Sequence, residues 1–89
     1  MNTIFLTGKV RTTPDLAYTP KGRKIATFSL LAEIGDFSIQ VVCSGDSFPS
    51  APEALVGNRV LVSGELTRAK LKTGDVFKVK ARKIIWMEE

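Results

Sequence analysis

Histidine is absent from the 89 residues, and cysteine, tryptophan and tyrosine occur once each. Without His, the usual zinc site and His-dependent acid–base catalysis are excluded. The lone Cys43 cannot form an internal disulfide, which fits a reducing cytoplasm. No apolar run approaches a membrane span, no signal peptide precedes the first hydrophobic stretch, and no P-loop pattern occurs. The acids show no spacing that singles out a pair. Asp36, Asp46 and Asp75 fall in predicted turns, where Asp is common for local hydrogen bonding. No enzyme, catalytic residue, cofactor or metal is expected. Aromatic residues make up only 8% of the chain, so any ligand surface has few rings to offer.

Positive charge is plentiful, and it is segregated. The net charge is +4. From Lys9 to Lys24, five basic residues (Lys9, Arg11, Lys21, Arg23, Lys24) face only Asp15. From Arg68 to Lys83, seven (Arg68, Lys70, Lys72, Lys78, Lys80, Arg82, Lys83) face only Asp75. Between them, Glu33 to Glu65 holds five acids and only Arg59. Such clustering favours a polyanionic partner over a uniformly solvated surface.

The hydrophobic content of 44% fits one small globular domain spanning residues 1–89. Ile4, Leu6, Gly8 and Val10 alternate with Phe5, Thr7, Lys9 and Arg11. Ala26, Phe28, Leu30 and Ala32 share one face of a second strand. This period of two marks half-buried antiparallel strands, and Gly8 inside one predicts a bend or a close backbone approach. Between the two strands a loop is expected. Glu33-Ile34-Gly35-Asp36 predicts a tight turn. A third strand covers Phe37 to Cys43, with Phe37, Ile39, Val41 and Cys43 on one face and Ser38, Gln40 and Val42 on the other. Ser50-Ala51-Pro52-Glu53 has capping-box spacing for a short helix that Gly57 closes. The fourth strand runs from Arg59 to about Lys70, with a bend at Gly64. A turn at Lys72-Thr73-Gly74-Asp75 leads into a fifth strand from Val76 to Met87. The order β-β-β-α-β-β is that of a five-stranded OB barrel, an all-β fold with a short helix between strands 3 and 4.

The runs Thr7-Gly8-Lys9-Val10-Arg11, Pro14 to Gly22 and Ala26 to Ala32 resemble the opening of the bacterial single-stranded-DNA-binding proteins, the SSB/PriB family. The resemblance continues more weakly through Gly57 to Leu66 and the last strand. It implies an OB barrel that binds single-stranded DNA in replication, restart or repair. It also implies a homodimer or higher homo-oligomer, and a cytoplasmic, nucleoid-associated location. Housekeeping members end in an acidic, aromatic-tipped tail that recruits other proteins. This sequence stops at Met87-Glu88-Glu89, which points, if the chain is complete, to a PriB-like accessory role.

OB barrels bind single strands with a basic groove and stacked side chains. Lys78, Lys80 and Arg82 alternate along the fifth strand, flanked by Val76 and Ile84, while Phe77, Val79 and Ala81 are expected in the core. A solvated strand face is the bland reading of this row. The nucleic-acid-binding residues expected are Arg68, Lys70, Lys72, Lys78 and Lys80, then Lys9, Arg11, Lys24 and Arg59, with Gln40 and Phe37 on or beside the third strand. Stackers are sparse. The family's aromatic position in the fourth strand carries Leu71, and the loop after the second strand is nearly deleted. In the third strand either Phe37 or Ser38 takes the stacking position; the second register puts Ile39, Val41 and Cys43 in the core. Phe28, Tyr18 and Trp86 are read as structural, and Phe48 as a contact or a helix-entry staple. The alternative function is an OB module that docks a replication or repair protein. RNA is a further ligand that the same basic rows would fit.

Overall fold

The computed structural model describes residues 1–45 and 56–87. Six strands appear: β1 (Ile4–Val10), β2 (Asp15–Tyr18), β3 (Lys24–Ala32), β4 (Ser38–Ser44), β5 (Arg59–Leu71) and β6 (Gly74–Met87). Five are those expected from alternation. The sixth, β2, lies in the segment read as loop and pairs with β3 from Asp15↔Thr27 to Tyr18↔Lys24. All four of its residues are exposed, so it carries no apolar alternation that would mark it. The expected helix from Ser50 and the Phe48 contact lie outside the described residues. Gly57, which was to close that helix, does take a positive φ of 91°.

Hydrogen-bonded neighbours run β1-β5-β6-β4-β3-β2, and a β1–β3 pairing closes the ring. All pairings are antiparallel except β4–β6, which is parallel over Gln40↔Lys78, Val41↔Val79 and Val42↔Lys80. This is the OB barrel. β1 pairs with both β5 and β3, and Gly8 stands at the overlap, opposite Val60 and Ala32. A Cβ there would overlap the Leu31 carbonyl oxygen and lie 3.0 Å from its carbon, so the close approach read at Gly8 is real.

The core is formed by Val10, Ala26, Phe28, Leu30, Val41, Cys43, Val60, Val62 and Val79, with Ile4, Leu6, Ile39, Ala81, Ile84 and Trp86 packed against it. Fully burying an aliphatic or aromatic side chain of this kind contributes about 1.5–3 kcal/mol. Burial of Val41 and Cys43, with Ile39 packed beside them, corresponds to the second register for this strand. Phe37 therefore precedes β4, at the end of the Glu33–Asp36 turn, where Gly35 and Asp36 have positive φ.

The last strand departs from simple alternation. Ser63 pairs with Lys83 but Gly64 pairs with Ala81, leaving Arg82 as the extra residue of a bulge. One extra residue inverts the facing of everything beyond it. Val79 and Ala81 therefore face inward before the bulge, and Ile84 and Trp86 after it. Ile84 thus packs on the core and does not flank the lysine row. Phe77, expected in the core, is 50% exposed because β5 and β6 run on past the barrel as a long hairpin.

Candidate nucleic-acid interface

Register places three rows of side chains on the outer face where β3, β4 and β6 adjoin. One row is Ser29, Gln40, Lys78 and Thr67. The next is Asp15, Thr27, Val42, Lys80 and Glu65. Leu31 and Ser38 form the third, toward the start of β4. Arg11 joins this face: its backbone N–H donates to Ser29 O, and its Nη1 donates to Ser38 Oγ at 2.8 Å. Phe37 sits at the edge beside Ser38, 42% exposed. Arg11, Gln40, Lys78, Lys80 and Phe37 are thus brought to one surface.

Of the other expected cations, Arg68, Lys70 and Lys72 are not, while Lys9 adjoins the third row through Leu31. Arg68 and Lys70 pair with Phe77 and Asp75, so strand alternation puts them on the opposite face of the hairpin from Lys78 and Lys80. Arg68 is held by Asp75 at 3.6 Å. Lys72 lies in the turn between β5 and β6. Lys9 stands on the outer side of β1, between Leu31 and Arg59. Arg59 is occupied by Glu33, through Nε at 2.6 Å and Nη2 at 2.5 Å. Thr7 Oγ1 donates to the other Glu33 oxygen at 3.0 Å. That hydroxyl, then the guanidinium, then Lys9 hold the Glu33 carboxyl below its ordinary value. Arg82 is paired with Glu65. Among the described residues, Lys24, Lys78 and Lys80 form no ion pair.

Two hollows flank this surface. One, of about 910 Å³, lies between the β2–β3 hairpin and β6 and includes Tyr18, Arg23, Lys24 and Lys80. Tyr18, expected to pack, is instead 71% exposed. The other, of about 820 Å³, is a largely apolar mouth lined by Ile4, Leu6, Phe37, Ile39, Leu66 and Phe77. Tyr18 and Arg23 line this hollow and were not among the expected site residues. Their signal is present in the sequence, where an aromatic is followed at once by Lys21, Arg23 and Lys24.

Cys43 is buried, and burial pushes its thiol up to about 11, so little thiolate forms at neutral pH. Among the described residues no three of His, Cys, Asp and Glu gather into a metal-binding group. No helix among them is long and apolar enough to cross a membrane.

No protein-family model matches the sequence, and no curated protein matches it significantly. Solved structures do. The dimeric N-terminal domain of PriB from Thermoanaerobacter tencongensis is 28% identical with a TM-score of 0.75, over 99% of this chain and 98% of that one. The single-stranded DNA binding protein of Thermus aquaticus is 24% identical with a TM-score of 0.83. It matches over 100% of this chain, which spans only 41% of that protein. The Plasmodium falciparum SSB, solved in complex with ssDNA, is 22% identical with a TM-score of 0.76, over 99% of this chain and 96% of that one. A barrel closed by β1–β3 and β4–β6 pairing, and likeness along nearly the whole PriB domain, give this chain the OB fold of the SSB and PriB structures.

Proposed function

We propose that this chain binds single-stranded DNA, without strong sequence preference, across the outer face of β3, β4 and β6. The observation that carries the reading is the pair Lys78 and Lys80. They stand in register with Gln40 and Val42 at the centre of an open face, and no carboxylate among the described residues claims either of them. Free ammonium groups on a β surface hold phosphates, while flanking polar and aromatic side chains receive sugars and bases. Arg11, Gln40 and Phe37 extend this face. Lys24, Lys70, Lys72 and Lys9 supply charge around it, and Arg68 and Arg59 contribute by exchanging a carboxylate partner for phosphate. The Plasmodium neighbour's complex with ssDNA supports the ligand class.

The chain acts as a single OB domain in DNA replication, restart or repair, in the cytoplasm at the nucleoid, and not as an enzyme. It pairs as a homodimer. On the outer side of β1, β5 and β6, Phe5 is 68% exposed and Ile85 43% exposed, an apolar area in need of cover. The PriB neighbour is a dimer.

A second reading is docking of a replication or repair protein. It is favoured by the apolar mouth lined by Ile4, Leu6, Ile39, Leu66 and Phe77.

The deciding experiment is fluorescence anisotropy of labelled oligo-dT at two salt concentrations, with duplex DNA and oligo-U as controls. Salt-sensitive binding that prefers the single DNA strand is expected. Absence of binding at low salt overturns this function in favour of protein docking, and preference for oligo-U makes RNA the ligand.

A further inference from the structure

We infer that the groove between the β2–β3 hairpin and β6 is a nucleotide pocket, in which Tyr18 stacks on a base while Arg23, Lys24 and Lys80 hold the adjoining phosphates. This rests on the single-strand reading above. It adds a contact at the opposite end of β4 from Phe37.

The hairpin fixes these groups in place. Tyr18 and Lys24 form its last strand pair. Beyond them Thr19 N–H donates to Arg23 O and Gly22 N–H to Thr19 O, both at 2.8 Å, and Arg23 N–H donates to Thr19 Oγ1 at 3.1 Å. Gly22 supplies the positive φ of 82° that this turn requires. Lys24 is also seated: a Cβ on Gly45 would overlap its side chain, so the missing side chain at Gly45 lets the lysine stem lie there. The backbone that carries Tyr18 and Arg23, and the stem of Lys24, are therefore fixed before any ligand arrives, which lowers the entropy cost of binding.

The chemistry of the hollow matches a nucleotide. Its volume of about 910 Å³ lies within the ordinary range for ligand pockets. Ile25 and Val42 give it an apolar lining beside Tyr18. The three ion pairs among the described residues occupy Arg59, Arg68 and Arg82, leaving all three cations of this groove for anions. Lys80 lines the groove and stands in the outer row with Val42, so a strand lying across Lys78 and Lys80 reaches the rim of the pocket, beyond which Tyr18 and Lys24 face from the other side of the β2–β3 hairpin.

The test uses the whole chain and oligo-dT. Tyr18→Leu keeps an apolar side chain at an exposed position and removes the ring. A loss of affinity of about 5- to 150-fold is expected, the range for one stacked base, with Tyr18→Phe close to wild type. Arg23→Ala with Lys24→Ala is expected to reduce the salt slope by about 0.7 per lost phosphate contact. In the wild-type protein, ultraviolet cross-linking of 5-iodouracil-substituted oligo-dT, mapped by mass spectrometry, is expected to label Tyr18, independently of any variant's folding. Wild-type affinity for Tyr18→Leu together with cross-links confined to other residues overturns the pocket. If Lys78→Glu with Lys80→Glu still abolishes binding in that case, the DNA reading stands without it. Failure of the wild-type protein to bind oligo-dT overturns both.

Discussion

Gly64 of β5 lies so close to the backbone of Lys80 on β6 that a Cβ would overlap the Lys80 carbonyl oxygen and come within 2.8 Å of the Ala81 Cα. The contact sits at the bulge that inverts the facing of β6. It therefore ties the aim of Lys80 to the absence of a side chain on the neighbouring strand.

Gly64→Ala is expected to destabilise the barrel by about 1–3 kcal/mol, because backbone rather than a flexible side chain must yield. In a domain of this size each 1 kcal/mol lowers Tm by about 4–8 °C. A thermal melt at wild-type Tm would mean that the two strands separate freely here.

Reversing the central charges, with Lys78→Glu and Lys80→Glu, should weaken oligo-dT binding and flatten its dependence on salt. Each lost phosphate contact removes about 0.7 from the slope of log K against log salt. Anisotropy titrations across a salt series read this directly. An unchanged slope would remove β6 from the interface.

Glu33 links stability to pH. Its folded-state pKa lies below the ordinary value of 4.5, first through the Thr7 hydroxyl and then through Arg59. A depressed carboxylate contributes stability that is fully present above its unfolded value and is lost as pH falls through the folded one. Melts from neutral pH to below 4.5 should therefore show a steeper loss for wild type than for Glu33→Gln. The same pH dependence in both proteins would show that the Thr7–Glu33–Arg59 cluster does not contribute. Because these groups are partly exposed, salt should shrink the difference.

Phe5→Asp places a charge in the apolar area on the outer side of β1 while touching no core residue. Sedimentation should show a dimer for wild type and a monomer for the variant, with unchanged far-ultraviolet circular dichroism. A dimer in both would move the interface elsewhere.

Much of this was legible in the chain itself. Ala26, Phe28 and Leu30 announced their buried face because each strand residue alternates sides. Gly8 announced a close approach because nothing larger fits where β1 meets β3. The tight turn at Glu33–Asp36 followed from Gly35, whose φ is 99°. β2 was not legible, since its four exposed residues pair through backbone alone. Phe77 and Ile84 exchanged their expected environments, because one bulge residue and a hairpin longer than the barrel are invisible to a period of two.

The clustering of lysines and arginines, five of the six strands and the buried face of β3 were determined by the sequence, because charge and side-chain alternation are local properties. Which cations share a face was decided only by the tertiary structure. Arg59, Arg68 and Arg82 are drawn to Glu33, Asp75 and Glu65 across strands, while Lys78 and Lys80 remain without an ion pair among the described residues. Tyr18 reaches the same groove as Lys80 only when β2 folds back on β3. Such pairings join residues far apart in the chain, and register across strands, not spacing along one, decides them.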